Sequence, residues 1–326
     1  MPKFLIIRFS SIGDIVLTSP IVRCLRKQIP DAQVHYITKK AFQWVIENNP
    51  YVDKVYAIDK DVSEVTEDLK KENYDFVVDL HHNLRSMQVK KALGKPSDSF
   101  PKLNVEKWLK VNLKIDKLPN VHIVDRYFEA VKSLNVKNDG AGLDCFIPAK
   151  DEVSITTLPV THQNGYVGFV IGARHFTKQF PEHKIIEVCK LLNCPIVLLG
   201  GKEDAEKAQR IVAAIGSNIY NACGKYNLNQ SASLVKQAKK IITNDTGLMH
   251  IAAAFKKDII SLWGNTIPEF GMYPYKPGTN SHIMEVKGLS CRPCSKIGYK
   301  TCPKKHFKCM EEISVQEIVS AERKVK

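Results

Sequence analysis

Short apolar runs recur along the chain, separated by polar connections that carry glycine or proline. In the first half they are Leu5–Phe9, Gln33–Ile37, Lys54–Ile58 and Phe76–Asp79. They are apolar through much of their length, as expected of parallel strands covered on both faces. Between them the pattern predicts helices over Ile15–Gln28, Ala41–Glu47 and about Ser63–Lys71. The stretch from Leu93 to Asn120 is polar and interrupted by proline, with Lys107-Trp108-Leu109-Lys110 inside it, and a helix follows from about Asp125 to Leu134. Residues 137–165 hold Asn138-Asp139-Gly140-Ala141-Gly142, Pro148 and Pro159, the composition of an interdomain connection. The alternation then restarts. Tyr166–Ile171, Pro195–Leu199, Lys240–Thr243 and Ile259–Trp263 read as strands; Glu182–Leu192, Asp204–Ile215 and Gln230–Ala238 read as helices. A last helix, about Ser314 to Arg323, opens on the capping pattern Ser314-Val315-Gln316-Glu317. Strand and helix in alternation predict an α/β protein with doubly wound sheets. The 326 residues are divided into domains 1–155 and 156–326.

No apolar run approaches the roughly 20 residues of a membrane span. The opening run Phe4-Leu5-Ile6-Ile7 is too short for a signal-peptide core and has no small-residue cleavage site after it, so a cytoplasmic location is expected. The formal charge of +14 favours an anionic partner, although a lysine-rich solvated surface explains much of the excess. The basic residues are spread out and accompany no nucleic-acid motif, so no nucleic-acid partner is expected. An anionic glycolipid at a membrane surface fits at least as well.

The strongest candidate chemistry is Asn244-Asp245-Thr246-Gly247-Leu248-Met249-His250, between a strand and the small-residue helix Ile251-Ala252-Ala253-Ala254. Such a turn presents free amides and a hydroxyl at a helix N-terminus, which suits a phosphate. His250 stands five residues beyond Asp245, roughly 140° around a helix axis, so spacing does not set the two side by side. The first strand feeds a second turn, Arg8-Phe9-Ser10-Ser11-Ile12-Gly13-Asp14. Asp14 could take a proton from an attacking hydroxyl, or cap the helix. Lys178 lies in a strand-to-helix loop and could neutralise a leaving phosphate, or be one more surface lysine. Gly200-Gly201-Lys202-Glu203-Asp204 could bring backbone and a carboxylate to ribose hydroxyls, or make a capped turn. Tyr226 could pack on a base or in the core. Asp59-Lys60-Asp61 could hold a divalent metal, but it lies in a polar, lysine-bearing connection. Walker A, GxGxxG and Gly-x-Ser-x-Gly patterns are all missing.

Of nine cysteines, Cys24, Cys145, Cys189, Cys194 and Cys223 stand in apolar contexts and read as buried small hydrophobes. Cys291, Cys294, Cys302 and Cys309 fall within 19 residues. Four thiols could close a structural zinc site, form disulfides or simply pack. A reducing cytoplasm disfavours the disulfides.

In order and spacing, four motifs resemble glycosyltransferase family 9, the ADP-heptose:lipopolysaccharide heptosyltransferases. They are Ile7-Arg8-Phe9-Ser10-Ser11-Ile12-Gly13-Asp14-Ile15-Val16, Asp79-Leu80-His81-His82-Asn83-Leu84-Arg85-Ser86, Lys178-Gln179-Phe180-Pro181 and the 244–250 segment. The resemblance covers essentially the whole chain. It implies a GT-B fold: two Rossmann-like doubly wound domains facing across a cleft, the first binding acceptor and the second nucleotide-sugar, with the last helix crossing back to the first. It implies inverting transfer from an ADP-activated heptose with no catalytic metal or required cofactor. Asp14 and Lys178 would be catalytic. Ala173, Arg174, Lys178, Asp204 (or Glu203), Tyr226, Asp245, Thr246, Gly247 and His250 would meet the donor, and Arg8, Ser10, Gly13 and Arg85 the acceptor. Ala173-Arg174 stand where the family often has Thr-Thr, and Tyr226 where it has a smaller apolar residue, which leaves other nucleotide-activated sugars open. The acceptor would be an anionic lipid-linked saccharide of the lipopolysaccharide inner core, met by an enzyme peripheral to the inner membrane. The alternatives are a nucleotide-sugar epimerase of the same fold and a non-enzymatic basic module binding nucleic acid or membrane.

Overall fold

The first sheet assembles around β1 (Lys3–Ile7), whose Leu5, Ile6 and Ile7 are fully buried. In a computed structural model that describes residues 1–323, the elements follow as α1 (Ile12–Val16), α2 (Ser19–Gln28), β2 (Gln33–Lys39), β3 (Lys54–Ile58), α3 (Ser63–Lys71), β4 (Phe76–Asp79), α4 (Leu84–Leu93) and β5 (Ser97–Ser99). The strands lie in the order β3-β2-β1-β4-β5, each pair parallel. The chain continues through α5 (Asn104–Asn112), α6 (Ile123–Tyr127) and α7 (Val160–Gln163). A second sheet is built from β6 (Val167–Val170), β7 (Ile196–Leu199), β8 (Ile219–Asn221), β9 (Lys240–Asn244), β10 (Asp258–Trp263) and β11 (His282–Glu285). Its order is β11-β10-β9-β6-β7-β8, again parallel throughout. Its helices are α8 (Glu182–Leu192), α9 (Ala205–Ile215), α10 (Leu228–Gln237), α11 (Gly247–Ala254), α12 (Lys308–Glu311) and α13 (Val315–Arg323).

Two compact units result. Met1–Leu103 joins Val121–Phe146 in one, and Asn104–Asn120 joins the chain from Ile147 onward in the other. The change of unit at Phe146 falls earlier than the expected 155/156 boundary, and side-chain bonds explain why. Asp151 accepts from the Asn227 and Asn229 amides at 2.9 and 3.0 Å, Glu152 pairs with Lys236, and the Val153 N–H donates to Ser233 Oγ. The preceding residues are held in the first unit by Arg23, which pairs with Asp139 and Asp144 and donates to Gly142 O.

Local chemistry also explains where helices differ from the pattern. The expected 15–28 helix is two helices, because Pro20 has no N–H for the Val16 carbonyl; Ser19 Oγ takes that carbonyl instead. α4 exposes Leu84 and Met87 and so shows no apolar stripe, yet Asn83 and Ser86 cap it reciprocally and Gly94, at φ +60°, ends it. The expected helix at Ala41–Glu47 is a 3-10 turn over Lys40–Val45, and the one near 125–134 is α6 followed by a 3-10 turn. α13 buries Val315, Ile318, Val319 and Ala321 in the second unit's own core, with Phe169, Ile242 and Ile260. Lys240 Nζ donates to the Ala321 carbonyl, which ties the end of this helix to β9.

Ile242 is fully buried at the centre of β9. Ile242→Ala is expected to destabilise the second unit by about 3 kcal/mol through lost transfer energy and a residual cavity. Urea unfolding would measure it, and a loss under about 1 kcal/mol would mean that the site can collapse.

Candidate active site

Both sheets place the first and fourth strands of their unit side by side, β1 with β4 and β6 with β9. The chain winds away on either side of each pair, and open α/β sheets bind ligands beyond the carboxyl ends of the strands at such switch points. The candidate residues gather there in each unit.

In the first unit Arg8 follows β1 and is buried. Its guanidinium donates to Ser10 O at 2.8 Å, Leu80 O at 2.6 Å and Tyr127 Oη at 3.1 Å, and pairs with Asp14 at 2.6 Å. Burial alone would lower its pKa, but Asp14, Tyr127 and Tyr36 turn the net shift upward. Arg8 is thus a fixed cation whose donors are engaged within the protein. Asp14 stands at the third position of α1, where its carboxylate accepts from Ser11 N at 3.1 Å and Ser11 Oγ at 2.7 Å. It reaches back to the cap position rather than occupying it. Gly13 is buried in the same helix, and Ser10 is half-buried. Arg85 lies over the Phe9 ring at 5.5 Å and donates to Lys60 O.

His81 packs edge-on against Phe9, with ring centres 5.1 Å apart. Its Nδ1 is buried and has no hydrogen-bond partner among the described residues. Burial first, then Arg8 and Lys102, push its pKa down to about 4. His81 is therefore neutral at physiological pH beside the Arg8–Asp14 pair. Asp79 anchors the turn, accepting from His81 N, His82 N and Ser86 Oγ and pairing with Lys90.

In the second unit Lys178 Nζ meets Asp245 Oδ2 at 2.5 Å, and Thr266 Oγ1 donates to the same oxygen at 2.9 Å. Both partners are largely buried, so this is a held pair rather than a solvated one. Thr246 is the N-cap of α11 and Gly247 its first residue; the backbone amides of this first turn have no partner within the helix. His250 is buried three residues further along the same helix. Asn244 joins the pieces. Its amide donates to the Val170, Ile171 and Gly172 carbonyls at 3.2–3.3 Å, and its oxygen accepts from Phe180 N at 3.1 Å. Lys207 bonds Ile171 O and Phe180 O. The loop between them, with half-buried Ala173 and exposed Arg174, is pinned at both ends, and Gln179 closes it onto Ala173 O.

The other candidates of the second unit and the 59–61 segment have their own partners. Asp204 is buried, its carboxylate accepting from Gly201 N at 2.9 Å, and burial raises its pKa. A Cβ at Gly172 would lie 2.0 Å from this carboxylate and one at Gly200 2.7 Å, so these glycines make room for Asp204. Glu203 is the exposed carboxylate of that turn. Tyr226 is half-buried and shares a 3.1 Å hydrogen bond with Tyr220. Asp61 accepts from Ser63 N, and Glu64 accepts from the Asp59 and Asp61 N–H groups, which gives the Asp61 carboxylate a structural role at the start of α3. Among the described residues no group of three or more His, Cys, Asp or Glu side chains is disposed to hold a metal ion. Cys309 is buried, and burial, then Cys294 and Cys302, push its thiol up to about 12.

The segment carrying these cysteines braces the site. Thr177 and Tyr299 exchange hydrogen bonds, Phe176 stacks on Phe307 at 4.9 Å, and Arg292 donates to Gly264 O and Thr266 O.

These features agree with what the comparisons give. The model of glycosyltransferase family 9 (heptosyltransferase) matches residues 62–306. The chain belongs to that family and is a glycosyltransferase with the GT-B fold. The lipopolysaccharide heptosyltransferase 1 of Campylobacter coli is 24% identical over 292 residues, covering 81% of this chain and 84% of that one. The family 9 glycosyl transferase of Veillonella parvula superposes with a TM-score of 0.80 at 23% identity, covering 98% and 96% of the two chains. The Escherichia coli heptosyltransferase WaaC, solved with ADP, gives 0.69 at 21% identity and covers 98% of each.

The His81 environment has a signed consequence. The unfolded chain takes up a proton near pH 6.5 that the folded chain refuses until about 4. Its contribution to stability is therefore complete above that window and is lost as pH falls through it. His81→Gln is expected to flatten this part of the stability profile. Identical pH dependence in the two proteins would contradict the assignment.

Proposed function

We propose that this protein transfers a heptose from an ADP-activated donor to an inner-core lipopolysaccharide acceptor, with inversion at the sugar carbon. The family membership supports the sugar class. The ADP bound by WaaC, set beside a second unit whose switch point offers a cation and a helix N-terminus, supports the nucleotide. The lipopolysaccharide heptosyltransferases among its relatives support the acceptor class. The observation that carries the reading is the presence at the two switch points of an oriented carboxylate, Asp14, and an oriented ammonium, Lys178.

In this reading the acceptor hydroxyl oxygen attacks the anomeric carbon as the bond from that carbon to the diphosphate breaks. The hydroxyl proton passes to Asp14, which Arg8 and Ser11 hold in place. ADP departs with its new negative charge met by Lys178 and the first amides of α11, which is stabilisation of charge as it develops. Asp245 and Thr266 steer the ammonium until the diphosphate arrives. Arg8 acts as a positioning residue, and Arg85 is the cation assigned to the anionic acceptor. Glu203 or Asp204 is assigned to the ribose and Tyr226 to the adenine. Lys178 and the helix amides carry the charge that a divalent ion would otherwise meet, so turnover should survive chelation. The acceptor is lipid-linked, and the enzyme works at the cytoplasmic face of the inner membrane.

Asp14→Asn should lower turnover by about 10²- to 10⁴-fold, the range for losing a general base. Circular dichroism would verify the fold of the variant. Near-normal turnover in the folded variant would sink the assignment of Asp14 as base. Abolition of wild-type activity by EDTA, with the fold intact, would overturn the metal-independent part.

A further inference from the structure

α5 is a helix with no buried residue. A helix of a soluble protein normally turns its apolar stripe to the core. Here Val105 and Trp108, one turn apart, are 68% and 55% exposed, and Leu113 and Ile115 beyond the helix end are also exposed. Interleaved with them or just beyond are Lys107, Lys110, Lys114 and Lys117, against only Glu106 and Asp116. Lys114 ties the segment to its own unit by donating to Cys291 O and Pro293 O, and Lys110 pairs with Asp116. The segment is thus fastened at its base while Val105, Trp108, Leu113 and Ile115 face water.

We propose that Asn104–Lys117 is a membrane-docking surface that seats on an anionic lipid bilayer. Exposed tryptophan and aliphatic side chains beside lysines are what an interfacial helix needs: apolar groups enter the acyl boundary and the ammonium groups meet lipid phosphates. Tryptophan is favoured at that depth. A second copy of the chain is the weaker occupant, since each copy carries +14 and like charges oppose association. No helix among the described residues is long and apolar enough to cross a membrane, so the attachment is to the surface. The choice of a bilayer rests on the lipid-linked acceptor proposed above, whereas the exposed surface itself does not. The docking surface would hold the enzyme where such an acceptor is embedded.

The test is flotation of the full-length protein with vesicles of phosphatidylcholine, alone or with about one third phosphatidylglycerol, without donor or acceptor. The protein should float with the anionic vesicles, remain behind with the neutral ones, and be released by salt. The double substitution Val105→Glu and Trp108→Glu should lower the partition about tenfold or more while leaving thermal unfolding unchanged, because neither side chain is buried. Equal flotation of the two proteins, or no flotation of the wild type, would overturn the proposal. So would a concentration-dependent dimer that the substitutions abolish, which would assign the surface to a second copy. ADP binding, measured separately, reports on the proposed function, so failure of one reading does not pass for failure of the other.

Discussion

The second unit depends on what Asn244 does with one side-chain amide. It stands at the end of β9, fully buried, where neighbouring strand ends leave carbonyls that the ladder no longer satisfies. By donating to Val170, Ile171 and Gly172 and accepting from Phe180, it fixes both ends of the loop that carries Lys178. The next residue, Asp245, then receives the ammonium. A single residue thus converts sheet topology into a cation at a defined place beside a helix N-terminus. The buried amide is tolerated because its polar groups are satisfied, and the loop becomes rigid for the same reason.

The two units use the same device with opposite charge in the active role. In the first, the buried cation Arg8 is immobile and orients a carboxylate. In the second, the carboxylate Asp245, held by Thr266, orients a cation. Each pair removes charge from water, which is costly unless further hydrogen bonds complete it, and both are completed by backbone or hydroxyl partners. Lysine fits the role proposed for the second position, because a compact ammonium on a flexible stem can leave a carboxylate for a diphosphate. Arginine suits the first because its planar fork serves Leu80, Tyr127, Ser10 and Asp14 at once.

Much of this was legible along the chain. β3, β4, α3 and α8 fall where the pattern of apolar and polar positions predicts them. β5, three polar residues added to a sheet edge, has no such signal, and neither does α5, whose apolar stripe has no core to face. The turns that carry Asp14, Lys178, Asp245, Thr246 and Gly247 could be placed because strand-to-helix turns are local. The residues that position them could not. Tyr127 reaches Arg8 across 119 residues of sequence, and Thr266 reaches Asp245 across 21. The inward turn of Asp204 was equally hidden, since it depends on Gly172 and Gly200, far apart in sequence, both leaving room for its carboxylate. Only tertiary structure makes these neighbours.

The central claim is that Lys178, oriented by Asp245, meets the diphosphate of an adenine nucleotide. Calorimetric titration with ADP, UDP and GDP at physiological salt tests it directly. ADP should bind most tightly, and Lys178→Ala should weaken it about 10- to 100-fold, as expected for losing a charged hydrogen-bond donor. ADP binding that Lys178→Ala leaves unchanged, or preference for another nucleotide, would contradict the account.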